Sequence, residues 1–209
     1  ITGIGINRYP NIVKYLGVIK KAAAVANYET GKISKEIYEG IVKACDDVIA
    51  GKYNDQFPVD VIQGGAGTST NMNANEVIAH LALEYMGHEP GQYEFCSPND
   101  HVNGSQSTND AYPCAVHLAM YADHLEMVKH LDMLIESSEK KAEEYKNIIK
   151  MGRTQLQDAV PMTLGLTFKA FAQSMKNEKE HLLQAAQEFL YSNMGATAIG
   201  TGICSTLEY

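Results

Sequence analysis

The 209 residues are 45% hydrophobic and 20% charged, the balance of a folded globular protein with enough chain for a sizeable core. A formal net charge of −8, with no Lys/Arg stripe to offset it, argues against a nucleic-acid backbone as partner. No run of about 18 apolar residues occurs, and "ITGIGINRYP" lacks the basic start and apolar core of a signal peptide, so neither a membrane span nor a secreted product is expected.

In chain order, the opening on Ile1 rather than Met points to a missing N-terminal part. Residues from about 11 to 29 read as a helix ended by Thr30-Gly31-Lys32. A second helix should start at Ser34, whose hydroxyl suits an N-cap, and stop at Gly51. "KYNDQFPVDVIQGGAGTSTN" then breaks the pattern with Pro58, Gly64, Gly65 and Gly67, and a third helix is expected from Ser69 or Thr70 to Gly87. Further on, Tyr121, Leu125, Val128, Leu131, Ile135, Ser138, Ala142, Tyr145 and Ile149 recur at helical spacing. They predict one helix which, if it begins near Ser107, spans roughly 60 Å at ~1.5 Å per residue. A second stripe follows "GRTQLQDAVP": Leu164, Phe168, Phe171, Met175, Leu182, Ala185 and Phe189, broken only by Glu178. Helices this long need partners along their length, from the same chain or from other subunits. By periodicity alone, a plain helical bundle without chemistry is an equal reading.

Cys45, Cys96, Cys114 and Cys204 form no Cys-x-x-Cys pair and read as free buried thiols of a reducing cytoplasm, not as a zinc site or disulfide frame. The seven histidines contain no His-Glu-x-x-His, so no metal site is predicted, and no Gly-x-Ser-x-Gly elbow offers a serine nucleophile. Asn103-Gly104-Ser105 matches a glycosylation acceptor by chance.

What remains is a concentration of uncharged donors in three segments between or before helices: "GGAGTSTNMN" (64–73), "NGSQSTND" (103–110) and "GRTQLQDA" (152–159). Taken singly, each is a helix cap or a solvated loop. The glycine-rich one is neither a phosphate-binding P-loop, lacking Gly-Lys-Ser/Thr, nor a dinucleotide fingerprint, lacking a strand–helix–strand setting. Taken together, hydroxyls, amides and free N–H groups at helix starts suit a bound carboxylate or phosphate.

These segments, quoted at length as "FPVDVIQGGAGTSTNMNANEVIA", "SPNDHVNGSQSTNDAYP" and "GRTQLQDAVPMTLG", with "NMGATAIGTGI" near the end, resemble the aspartase/fumarase superfamily across nearly the whole chain. Ser107-Thr108-Asn109-Asp110 and Gly152-Arg153-Thr154-Gln155 resemble the aspartase branch, where fumarases typically read Ser-Ser-Asn-Asp and Gly-Arg-Thr-His. The resemblance implies an all-α fold of the long-helix bundle type. Residues 1–105 would be the C-terminal part of the helical N-terminal domain, and 106–209 the first part of the central bundle. It implies a carbon–nitrogen lyase that converts L-aspartate to fumarate and ammonia without an organic cofactor. The enzyme would be a homotetramer whose sites are shared between subunits; fumarase, and a non-catalytic assembly fragment, are the alternatives. By motif, Thr68 falls at the substrate's amino and carboxylate region. Ser107, Thr108 and Asn109 fall at a carboxylate, and Thr154 and Gln155 at the carboxylate nearest the breaking bond. The family's serine base, in a Gly-Ser-Ser-x-Met-Pro-x-Lys-x-Asn run, has no counterpart in these residues, so the chain reads as an inactive fragment that supplies binding residues.

Overall fold

The computed structural model describes residues 1–209. The elements are α1 (Pro10–Glu29), α2 (Lys35–Ile49), α3 (Thr68–Tyr85), α4 (Thr108–Glu144), β1 (Ile149–Thr154), β2 (Gln157–Thr163) and α5 (Leu164–Ala185). Short 3-10 turns and one π-helical turn, Pro98–Val102, join them. The fold is all-α in character, as expected, with a single β-hairpin inserted. The chain forms two compact units, Ile1–Met120 with Tyr191–Tyr209, and Tyr121–Leu190.

In the first unit, α1 begins with Pro10, whose missing N–H is spare at a first turn. Its buried stripe, Val13, Leu16, Lys20, Ala23, Ala24 and Asn27, keeps helical spacing. Ser34 caps α2 by accepting Ile37 N–H at 3.3 Å, and Gly51 ends it at φ +77°. Gly67, at φ +82°, is the N-cap of α3, which starts at Thr68, one residue before Ser69 and two before Thr70. The core is built from these three helices with Phe57, Cys96, Val102 and the first turns of α4, and it is fully shielded at Val13, Leu16, Ile41, Ile78 and Leu83. The opening residues pair with residues 59–61, Ile6 N–H donating to Val59 O at 2.9 Å. Three of the four cysteines are buried free thiols; Cys204 is free but exposed, so the expectation of four buried thiols fails there.

In the second unit α4 continues to Glu144, and α5 carries Lys176 and Lys179 to Glu139 and Asp132 on it, at 2.5 and 2.6 Å. Ile149, assigned above to the α4 stripe, instead opens β1. Strands β1 and β2 pair antiparallel from Ile149↔Thr163 to Thr154↔Gln157, with a bulge between Met151 and Arg153. Gly152 at that bulge has no room for a side chain, since a Cβ would lie 2.9 Å from Val160 O. No helix is long and apolar enough to cross a membrane.

Candidate functional site

Two helix starts meet in the first unit. Ser107 caps α4: its Oγ accepts Asn109 N–H at 3.2 Å, and Asp110 returns the contact by accepting Ser107 N–H at 2.9 Å. The Asp110 bond is the returning half of a capping box, while the Ser107 hydroxyl takes the N–H of Asn109 in place of that of Asp110. Thr108 stands at the mouth of α4, where its Oγ1 accepts Asn71 Nδ2 of α3 at 3.0 Å. An accepted bond leaves the hydroxyl proton available for an anion, and the helix N-terminus adds its positive end. Gly67, the residue before Thr68, lies beneath the Tyr112 ring so closely that a Cβ there would sit 2.5 Å from the ring. Thr68 is thus held next to the start of α4, with its side chain exposed.

Asn109 is pinned from the returning segment. Its Nδ2 donates to Ala198 O at 2.7 Å, and its own carbonyl accepts Asn193 Nδ2 at 3.1 Å. Pro113 explains the second bond: four residues on, it has no N–H to give to the Asn109 carbonyl, so a side chain fills the gap. Asp110, fully buried, uses its other oxygen to accept Thr197 N–H at 2.9 Å. "NMGATAIGTGI" is therefore stitched to the first turn of α4.

The remaining two predicted residues belong to the second unit. Thr154 ends β1, and Gln155 forms the hairpin turn with Leu156, at φ +50° and +65°. Two successive positive φ values fit the twist of a two-residue hairpin, but neither side chain is of the kind that adopts them cheaply. Leu156 stands 98% exposed at the tip, and Arg153 holds Asp158 across the strands at 3.0 Å.

Beneath the 103–110 loop lies a set of residues that the motifs did not single out. Lys20, completely buried, donates to Asn103 Oδ1 and Gln106 Oε1, both at 2.9 Å. Asn103 Oδ1 also accepts from Asn71 and Asn75, at 3.1 and 3.2 Å. Asn27 donates to Gly104 O at 2.9 Å and accepts from the Ser105 hydroxyl at 2.6 Å. Burial pushes the Lys20 amine down to about 7, against the pull of Asp110. It pushes the Cys45 thiol, on α2, well above its ordinary range, so that thiol is neutral. One signal for the set was in the sequence: Lys20 and Asn27 fall on the apolar stripe of α1 at helical steps. No three His, Cys, Asp or Glu side chains are grouped to hold a metal.

The chain as a whole is similar to known proteins. An aspartate ammonia-lyase from Helicobacter pylori is 53% identical over all of this chain, which covers 45% of that protein. A fumarate lyase:delta crystallin structure from Brucella melitensis, bound to cobalt, superposes with a TM-score of 0.90 at 48% identity, over 100% of this chain and 45% of that one. A class II fumarase from Schistosoma mansoni superposes at 0.83 with 35% identity, over 95% and 42% of the two chains. The chain thus spans less than half the length of the relatives it matches. A lyase family model matches residues 7–209, and the chain belongs to that lyase family.

Proposed function

We propose that the whole protein is an aspartate ammonia-lyase, a carbon–nitrogen lyase interconverting L-aspartate with fumarate and ammonia. Removing the Cβ proton next to a carboxylate creates an aci-carboxylate with two negative charges. Aspartate's C–H is too weak an acid for this unless those charges meet donors already in place, each worth about 3–4 kcal/mol. Uncharged hydroxyl and amide donors serve at any working pH, and that is the chemistry gathered at the start of α4. The observation that carries the reading is the Thr108 hydroxyl, set at a helix mouth by Asn71 with its proton unspent.

In this reading Thr68 serves the amino and carboxylate region, Ser107, Thr108 and Asn109 a carboxylate, and Thr154 with Gln155 the carboxylate nearest the breaking bond. Ser107 caps the helix by accepting Asn109 N–H, and like Thr108 it keeps its hydroxyl proton to give to a carboxylate. Gln155 hydrogen-bonds but does not titrate, and the base comes from outside these residues, so the chain by itself is inactive. Residues 1–105 close one domain and 106–209 open the central bundle of a cytoplasmic homotetramer, in which the site is completed between subunits. Exposed Met133, Leu134 and Phe171 on α4 and α5 are the sort of surface such an assembly covers.

The test is to give the whole protein L-aspartate and follow fumarate by its ultraviolet absorbance. Turnover of L-malate with none of aspartate would move the assignment to fumarase. Thr108→Ala and Asn109→Ala are each expected to lower turnover by ~10²-fold, as loss of an oxyanion donor does. A fall below about threefold at both would leave them as structural contacts of the helix start, Thr108 to Asn71 and Asn109 to Ala198.

A further inference from the structure

The buried lysine beneath the loop is the group the proposed reaction leaves unused, and hydrogen-bond accounting gives it a task. Gln106 spends both amide N–H groups inside its own loop, on Val102 O at 2.9 Å and Gly104 O at 3.0 Å. Its side-chain oxygen accepts from Lys20. Asn71 likewise spends both of its N–H groups, one on Asn103 Oδ1 and one on Thr108 Oγ1, which makes it a bridge with a single orientation. Asn103 Oδ1 is the shared acceptor of Lys20, Asn71 and Asn75. A continuous path therefore runs from Lys20 through Asn103 and Asn71 to the Thr108 hydroxyl, and every member except Thr108 and Asn103 is buried to the level of the core. An unpaired lysine would not remain in such a place, and a lysine that only filled space would be outdone by methionine.

We propose that Lys20 is a positioning residue for the Thr108 hydroxyl, acting through Asn103 and Asn71 and touching no ligand itself. This deepens the lyase reading and rests on it for its effect on turnover. Remove the lysine head group, and Gln106 loses its donor while Asn103 keeps only its amide partners. The 103–107 loop then has more than one arrangement, and the hydroxyl that must meet the substrate is no longer fixed.

A double-mutant cycle in the whole protein tests this, with aspartate turnover as readout. Lys20→Met is expected to lower kcat by ~10-fold when Thr108 is present, and by less than about twofold when Thr108 is already Ala, since coupled residues are not additive. An equal fall in both backgrounds would make Lys20 a purely structural residue and overturn the proposal. If Lys20→Met does not accumulate as folded protein, Asn71→Ala is carried through the same cycle, and additivity there has the same force. Hydrogen exchange separates this inference from the reaction it rests on. In Lys20→Met the amides of 103–111 should exchange faster while those of α2 keep their protection. Such local loosening in a protein inert towards aspartate would sink the lyase reading and leave the positioning intact; unchanged or uniformly faster exchange would sink the positioning.

Discussion

The two units solve the problem of burial in different ways. In Ile1–Met120 with Tyr191–Tyr209, a continuous apolar core surrounds a polar set whose members bond one another. In Tyr121–Leu190 the buried apolar side chains are Ile135, Ala172 and Ala186, while Met133, Leu134, Leu166 and Phe171 are more than half exposed. The first unit has the makings of an independently stable domain; the second has helices with an apolar surface that nothing in the chain covers. The proposed multi-chain bundle would use both kinds of part, one that holds side chains in register and one that offers surface.

The largest effect that sharpens this contrast comes from truncating one apolar side chain in each unit. Ile78→Ala, at a fully shielded site in α3, should cost about 2–5 kcal/mol in a urea melt of the chain. Met133→Ala, at a site 62% exposed on α4, should change it by less than about 0.5 kcal/mol. A comparable loss at Met133 would mean that the second unit is covered in solution, and sedimentation would then show an assembly.

A middle-sized effect tests the buried lysine. Its folded pKa of about 7 lies below the ordinary 10.5, so between these values the unfolded chain binds more protons than the folded one. Stability should therefore rise with pH across that window, by up to about one proton's worth per pH unit. The groups facing Lys20 are Asp110, which opposes the shift, and the neutral Cys45 thiol. Melts of Lys20→Met should lack the rise; the same slope in that variant would assign it to other groups. The smallest effect is at the α2 cap, where Ser34→Ala should cost ~1 kcal/mol in the same melts.

How much of this could be read beforehand depends on the physical signal each element carries. Helices α1 to α5 announced themselves through apolar spacing and caps, and Ser34 and Gly51 bound α2 as expected. The hairpin did not, because its turn is Gln155-Leu156 where Asn-Gly or Asp-Gly would have advertised it, and because Pro161 sits inside β2. Ile149 looked helical only because it falls four residues after Tyr145. At the candidate site, helix-start hydroxyls were visible as a class. The layer beneath was not, since Lys20 stands beside Lys21 and reads as a pair of surface charges. Only its place among Leu16, Ala23 and Asn27 on the α1 stripe betrays it.

Pro113 carries a lesson for anyone altering this protein. A ranking of substitutions by helix propensity would replace it first, since it interrupts the ladder of the longest helix. Restoring an N–H at that position would set the helix in competition with Asn193 for the Asn109 carbonyl and weaken the strap that also grips the Asn109 amide. The residue that looks like the helix's defect is the latch for a segment some eighty positions further along the chain.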